Sequence, residues 1–207
     1  MRVFVVLLFL STMAGVGYGQ SMCTDTTALR FSSRGIKLGL TVDEVFGMIA
    51  TSEEDKARIR GGGKSGDEDL GHEIFGYSPM GPNEKFRGVS SYNFEFLDGK
   101  LVGLTISYMR PKWLNAAQFV DKLRESVDLP KIEEWKNSEP KAISTHLRAD
   151  CGNYSINLYI APDSVGGRGP TYSGLGIKDN RVLPTLKERR AKKDETQREI
   201  DLRTFKP

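Results

Sequence analysis

Two cysteines and two histidines are all that 207 residues supply of the soft and imidazole metal ligands, too few at this spacing to build a four-ligand zinc site. Neither cysteine stands in a Cys-x-x-Cys pair. No Gly-x-Ser-x-Gly elbow occurs, so no motif names a reaction and none implies a cofactor. Excess charge of one sign is also missing: the net charge is +3 with 28% charged residues, which argues against a strongly basic nucleic-acid binder. With 38% hydrophobic residues the chain is not a disordered one. Beyond the first few residues no apolar run approaches the roughly 20 needed to cross a bilayer.

The amino terminus is different. Met1-Arg2 precedes an unbroken apolar run, Val3 to Leu10, and Gly17-Tyr18-Gly19 places small residues before Gln20. This is the pattern of a secretory signal over residues 1–19, with cleavage after Gly19; a retained anchor, or lipid attachment at Cys23, are the other readings. Export makes the protein periplasmic or extracellular. It also gives the cysteines a meaning, because in an oxidising compartment Cys23 and Cys151 have only each other to pair with inside the chain. Such a disulfide is worth roughly 4–5 kcal/mol in the chain-entropy model; one reactive thiol and one spare is the alternative.

Two segments share a helix-start pattern. Thr41 with Glu44, and Asn115 with Gln118, are N-cap and capping-box partners, each flanked by a hydrophobic staple, Leu40 to Val45 and Leu114 to Phe119. Val42, Val45, Phe46 and Ile49 then follow one helical stripe, and Ala116, Phe119, Val120 and Leu123 another. The first helix is expected to continue through Glu53 to Arg60, the second to stop before Pro130. A hairpin follows each helix. Tyr92, Phe94 and Phe96 share a face with Val102, Leu104, Ile106 and Tyr108 only if the Asp98-Gly99 turn carries an extra residue, which predicts a bulged three-residue loop with Phe96 opposite Lys100. Ile143, Leu147 and Ala149 face Ile156, Leu158 and Ile160 across a two-residue Gly152-Asn153 turn, with Cys151 on the apolar side. Residues 61–88 hold eight glycines and read as a mobile loop containing one short strand near Glu73 to Tyr77. A fifth strand is expected at Thr171 to Ile177, after a loop from Ala161 to Pro170. The fold class is therefore α+β: one domain over residues 20–180, with an antiparallel sheet of four to five strands and helices on one face, the helix–hairpin unit occurring twice being one reading of it. Residues 181–207 form a charged, partly helical tail with nine Lys and Arg against five Asp and Glu, whereas residues 20–180 hold 20 against 22.

Candidate chemistry is sparse. Gly61-Gly62-Gly63-Lys64-Ser65 is a fragment of a phosphate loop, but Arg58 stands where its first glycine belongs. His72 and His146 are the only imidazoles able to serve as catalytic bases. Glu53-Glu54-Asp55 and Glu133-Glu134 read as solvated faces. Trp113, Trp135 and Tyr159 are the candidate binding residues, since aromatics are enriched in interfaces; the two tryptophans flank the second helix and can equally cap the core beneath it, while Tyr159 is out of phase with Leu158 and Ile160. The mixed charges of the tail allow weak contact with an anionic surface but do not indicate nucleic acid.

The run Gly35 to Val45, followed twice by a capped helix and a hairpin, resembles small exported bacterial proteins of the outer-membrane lipoprotein and β-lactamase-inhibitor type. That resemblance implies helices packed on one face of an antiparallel sheet, present twice in the inhibitor type. The expected function is a non-catalytic binding or cell-envelope interaction module that engages a protein partner through its uncovered sheet face and glycine-rich segment. A small secreted hydrolase with a loop-lined cleft, using His72 or His146, is the alternative.

Overall fold

A computed structural model describes residues 23–61, 64–79, 86–109, 113, 115–125, 129, 135–137, 145–161 and 172–205. The signal segment 1–19, Gly62, Gly63, Gly81, Ile143, Glu133-Glu134 and the loop after Ala161 lie outside them.

The helices form where capping chemistry starts them. Helix α1 spans Asp25–Arg30 behind the N-cap Thr24. Helix α2 spans Val42–Ile49: the Glu44 amide donates to Thr41 Oγ1 at 3.2 Å and the Thr41 amide donates back to Glu44 Oε2 at 2.6 Å. Helix α2 does not run on as expected. Ala50 turns to extended backbone, and helix α3, Glu53–Gly61, starts afresh. The reason is local competition, since the Asp55 amide donates to Ser52 Oγ and the Thr51 amide to Asp55 Oδ2, a second cap immediately after the first helix. Helix α4, Ala116–Arg124, is capped by Asn115, whose side-chain oxygen accepts from the Gln118 amide at 2.9 Å.

The sheet is larger than the sequence pattern indicates, with eight strands among the described residues in place of four or five. These are β1 (Lys64–Asp67), β2 (His72–Tyr77), β3 (Val89–Leu97), β4 (Lys100–Tyr108), β5 (Lys136–Asn137), β6 (Thr145–Cys151), β7 (Tyr154–Ala161) and β8 (Tyr172–Asp179), all antiparallel in the order β1-β2-β3-β4-β8-β7-β6-β5. The glycine-rich segment, expected to be a loop with one strand, contributes two strands and a 3-10 turn at Glu68–Leu70. Its glycines are what permit this: at Gly66, φ is +118° and a Cβ would stand 2.4 Å from the His72 carbonyl oxygen, so the close approach of β1 to β2 needs hydrogen there.

Both hairpin turns have two residues. Gly152-Asn153 joins Cys151 to Tyr154 as expected. At the other turn Asp98 and Gly99 both adopt positive φ, +51° and +71°, the mirror-image turn that matches strand twist, and Leu97 pairs with Lys100. The extra residue needed to bring the apolar sets together exists, but it sits within the strands: Glu95 pairs with Gly103 and Phe96 with Leu101, leaving Val102 bulged.

Phe75, Tyr92, Phe94, Phe96, Leu104 and Ile106 from one half of the sheet and Ile156, Leu158, Leu175 and Ile177 from the other form one core with Ala28, Phe46, Ile49, Ile59, Phe119 and Val120 of helices α1 to α4. All four helices thus bury their apolar stripes on the same side of the sheet. Cys23 is disulfide-bonded to Cys151, Cα atoms 4.6 Å apart, tying the segment before α1 to the end of β6. Asp25 reinforces that end, accepting from the Asn153 amide at 2.6 Å and from its side chain at 2.8 Å. Helix α5, Val182–Thr204, follows β8, and no helix among the described residues is long and apolar enough to cross a membrane.

Candidate functional site

Strand pairing fixes which side chains share the side of the sheet opposite the helices. One row across β2, β3, β4, β8, β7 and β6 is Ile74, Glu95, Gly103, Lys178, Ser155 and Asp150; the next is Gly76, Asn93, Thr105, Gly176, Asn157 and Arg148. A third, from β3 onward, is Ser91, Ser107, Gly174, Tyr159 and His146. Ile74 is the one aliphatic side chain in these rows. A sheet with one solvated face alternates apolar and polar positions, and this one does so across its full width.

Glycines shape the middle of the face. Gly103, Gly174 and Gly176 sit on the two central strands, so their neighbours lie flat across them. A Cβ at Gly103 would meet Glu95 Oε2 at 2.9 Å, and one at Gly174 would stand only 2.0 Å from the Tyr159 ring. Through these gaps Lys178 Nζ reaches Glu95 at 2.7 Å, and the Tyr159 hydroxyl reaches Ser107 Oγ at 2.7 Å. His72 Nε2 completes the first cluster at 2.9 Å from Glu95, whose side chain keeps only 14% of its exposure. Ile74, Asn93, Glu95, Thr105 and Lys178 surround a depression of about 80 Å³ floored by Gly103. Asn93 and Thr105, at the centre, are exposed.

The face is internally matched. The strand order is two four-stranded meanders joined through β4 and β8, with α2 and α3 ahead of one and α4 ahead of the other. A half-turn about the Thr105–Gly176 pair carries Gly103-Leu104-Thr105-Ile106 onto Gly174-Leu175-Gly176-Ile177, Asn93 onto Asn157 and Ser91 onto Ser155. Asn93 and Asn157 stand three strand spacings apart, about 14 Å, on either side of the glycine floor.

The candidate residues named from sequence separate. Tyr159 lies on the polar face, stacked on His146 with ring centroids 6.3 Å apart. Trp113 and Trp135 lie on the helix side. The Trp113 ring packs 5.0 Å from Phe119 and its Nε1 donates to Ser173 Oγ, while Trp135 is buried in the core. His72 and His146 share the polar face but on β2 and β6, five spacings apart across the sheet and in different rows, at least about 24 Å, so they do not form one cleft. Gly61 ends a helix and Lys64 begins a strand, the reverse of the strand-then-helix order of a phosphate loop. Among the described residues no cluster of His, Cys, Asp and Glu could hold a metal ion.

Sequence reasoning missed Glu95, Lys178, Asn93, Asn157 and Thr105. The signal available was their phase, since each alternates with a core residue.

The basic tail is not free. In α5, Arg189 donates to both carboxylate oxygens of Asp98 at 2.7 Å, Arg190 lies 3.5 Å from Asp67, and Lys193 pairs with Asp69. The bond from Arg189 holds the Asp98 carboxyl below the usual carboxylate range, and the bond from Lys193 does the same for Asp69. At the start of α5, burial pushes Asp179 up, but bonds from the side chain and amide of Arg181 outweigh it and leave the carboxyl below its ordinary value.

No family model, no curated protein and no solved structure matches this chain.

Proposed function

We propose that the chain is an exported, non-catalytic binding module that engages a protein partner through the face of its sheet opposite helices α1 to α4. The observation that carries this reading is the polar face itself: an extended surface, floored by Gly103, Gly174 and Gly176, with exposed Asn93 and Thr105 at its centre and Tyr159 beside them. Its charged groups are largely satisfied by each other, Glu95 by His72 and Lys178 and Asp150 by Arg148, so a partner meets a pre-formed surface with little to reorganise. Asn93 and Asn157 stand about 14 Å apart with Thr105 and Gly176 between them, a span comparable to the roughly 10 Å diameter of a helix. Export is supported by the cysteine pair, which suits an oxidising compartment, and by the signal pattern of residues 1–19. The matched halves favour an origin by duplication of a helix–sheet unit, in keeping with the resemblance to the inhibitor and lipoprotein type.

The hydrolase alternative, using His72 or His146, has less support, because no nucleophile-elbow motif accompanies either imidazole. The test is a pull-down from envelope extract with the wild-type chain beside Asn93→Arg/Asn157→Arg. Wild type is expected to retain a partner that the variant loses. A partner retained equally by both, or none at all, counts against the proposal.

A further inference from the structure

Helix α5 is attached to the body in an unusual way. It has 23 residues, yet Val182 at its first position is the only one buried. Farther along, at Lys187 to Lys193, five bases accompany one acid. Three of those bases meet acids of the body: Arg189 with Asp98, Arg190 with Asp67 and Lys193 with Asp69. Arg189 also donates to the Leu70 carbonyl at 2.7 Å. Glu188 pairs with Lys192 along the helix itself.

The acids on the body side belong to the end of β1, the 3-10 turn and the β3–β4 turn. These three pieces are joined at Gly71. Its carbonyl accepts from the Asp98 amide at 2.8 Å, and its φ of +70° leaves room that a Cβ would take, 2.5 Å from Asp98 Oδ1 and 3.1 Å from Arg189 Nη1. Strand β1 has four residues, lies at the edge of the sheet and, among the described residues, pairs with β2 alone. A short edge strand containing Gly66 is marginal by itself.

We infer that α5 is an electrostatic strap that holds the glycine-rich edge, β1 and its 3-10 turn, against β2, and that loss of its ion pairs releases both together and bares the outer backbone edge of β2. The strap is ionic where most helix docking is apolar. Screening therefore acts on it selectively, because the Debye length shrinks to about 3 Å at 1 M salt, while the buried core is insensitive to that change.

Hydrogen exchange of the full chain tests this, read by segment at low salt and at about 1 M salt, for wild type, Arg189→Glu, Lys193→Glu, and the exchanged pair Asp69→Lys/Lys193→Glu. High salt and each single substitution are expected to accelerate exchange on the order of tenfold in β1, the 3-10 turn and α5. Strands β3, β4, β7 and β8 should keep their protection, and the exchanged pair should recover most of what Lys193→Glu loses. Three results would overturn the inference: unchanged exchange at high salt and in both single variants, faster exchange in α5 alone with β1 still protected, or acceleration spread evenly through the central strands. All four chains retain the disulfide and the core residues, so protection of the central strands reports on folding in the same experiment.

Discussion

Tyr159 lies flat on the sheet because Gly174 has no side chain beneath it. The ring fills the place where a Cβ would be, and its hydroxyl bonds to Ser107 on the next strand but one. Gly174→Ala is therefore expected to lift the ring, break that bond and cost about 1–3 kcal/mol in denaturant unfolding. In a Tyr159→Ala background the same substitution should cost much less, and a double-mutant cycle measures the difference. Glu95 is the second residue on which the face depends. It accepts from both His72 and Lys178 while nearly buried, so Glu95→Leu leaves two donors without their acceptor and should destabilise by about 1–3 kcal/mol. Lys178→Met removes the more exposed partner and leaves Glu95 bonded to His72, so its cost should be smaller. Equal costs for the two variants would show that Glu95 is not the centre of the cluster.

At the scale of elements, the segments legible in the sequence are those specified by near neighbours. Thr41 and Asn115 start α2 and α4 because a cap is written within four residues, and β3, β4, β7 and β8 follow from alternation. The break between α2 and α3 was hidden by a helical pattern that continues across Ser52, although the competing cap is itself local. Strand β2 matches the short strand expected near Glu73 to Tyr77, but β1 was not legible, because Gly66 reads as flexibility until the His72 carbonyl beside it makes it a packing requirement. The clamp on α5 was equally hidden, with Asp98 and Asp69 lying 91 and 124 residues from their partners. Those two carboxyls have folded pKa values below the ordinary value, about 3.9. Their contribution is complete above that value and is lost as pH falls through the lower, folded one. Exchange protection of α5 should accordingly hold from neutral pH down to about pH 4 and fall below it, and loss of protection already at neutral-to-mildly-acid pH would contradict the assignment. The disulfide belongs to this scale too. Its 128-residue separation gives about 5 kcal/mol in the chain-entropy model. Cys23→Ser/Cys151→Ser should lose stability of that order, with exchange rising first in α1 and at the Gly152-Asn153 turn.

Among the described residues, a single broad sheet buries one side under helices α1 to α4 and presents polar rows on the other. Matched halves meet at β4 and β8, where Gly103 of one half faces Lys178 and Gly174 and Gly176 of the other face Ser107 and Thr105. Sequence alone contained the repeated Gly-Leu-x-Ile, but only the pairing of Leu104 with Ile177 and Ile106 with Leu175 makes it the shared centre of the sheet. The candidate site was less legible than the fold for the same reason, because its residues come from six strands and none is marked by a motif. The tryptophans drew attention as large aromatics, yet size serves a core as well as an interface, and Trp135 is in the core. The most direct test of the binding face is site-specific photo-crosslinking in the native envelope, with the crosslinker placed in turn at Asn93, Thr105 and Asn157 and, as a control on the helix side, at Lys122. A shared protein adduct at the three face positions and none at Lys122 is the predicted result. Adducts at Lys122 alone, or none at the three face positions, would contradict it.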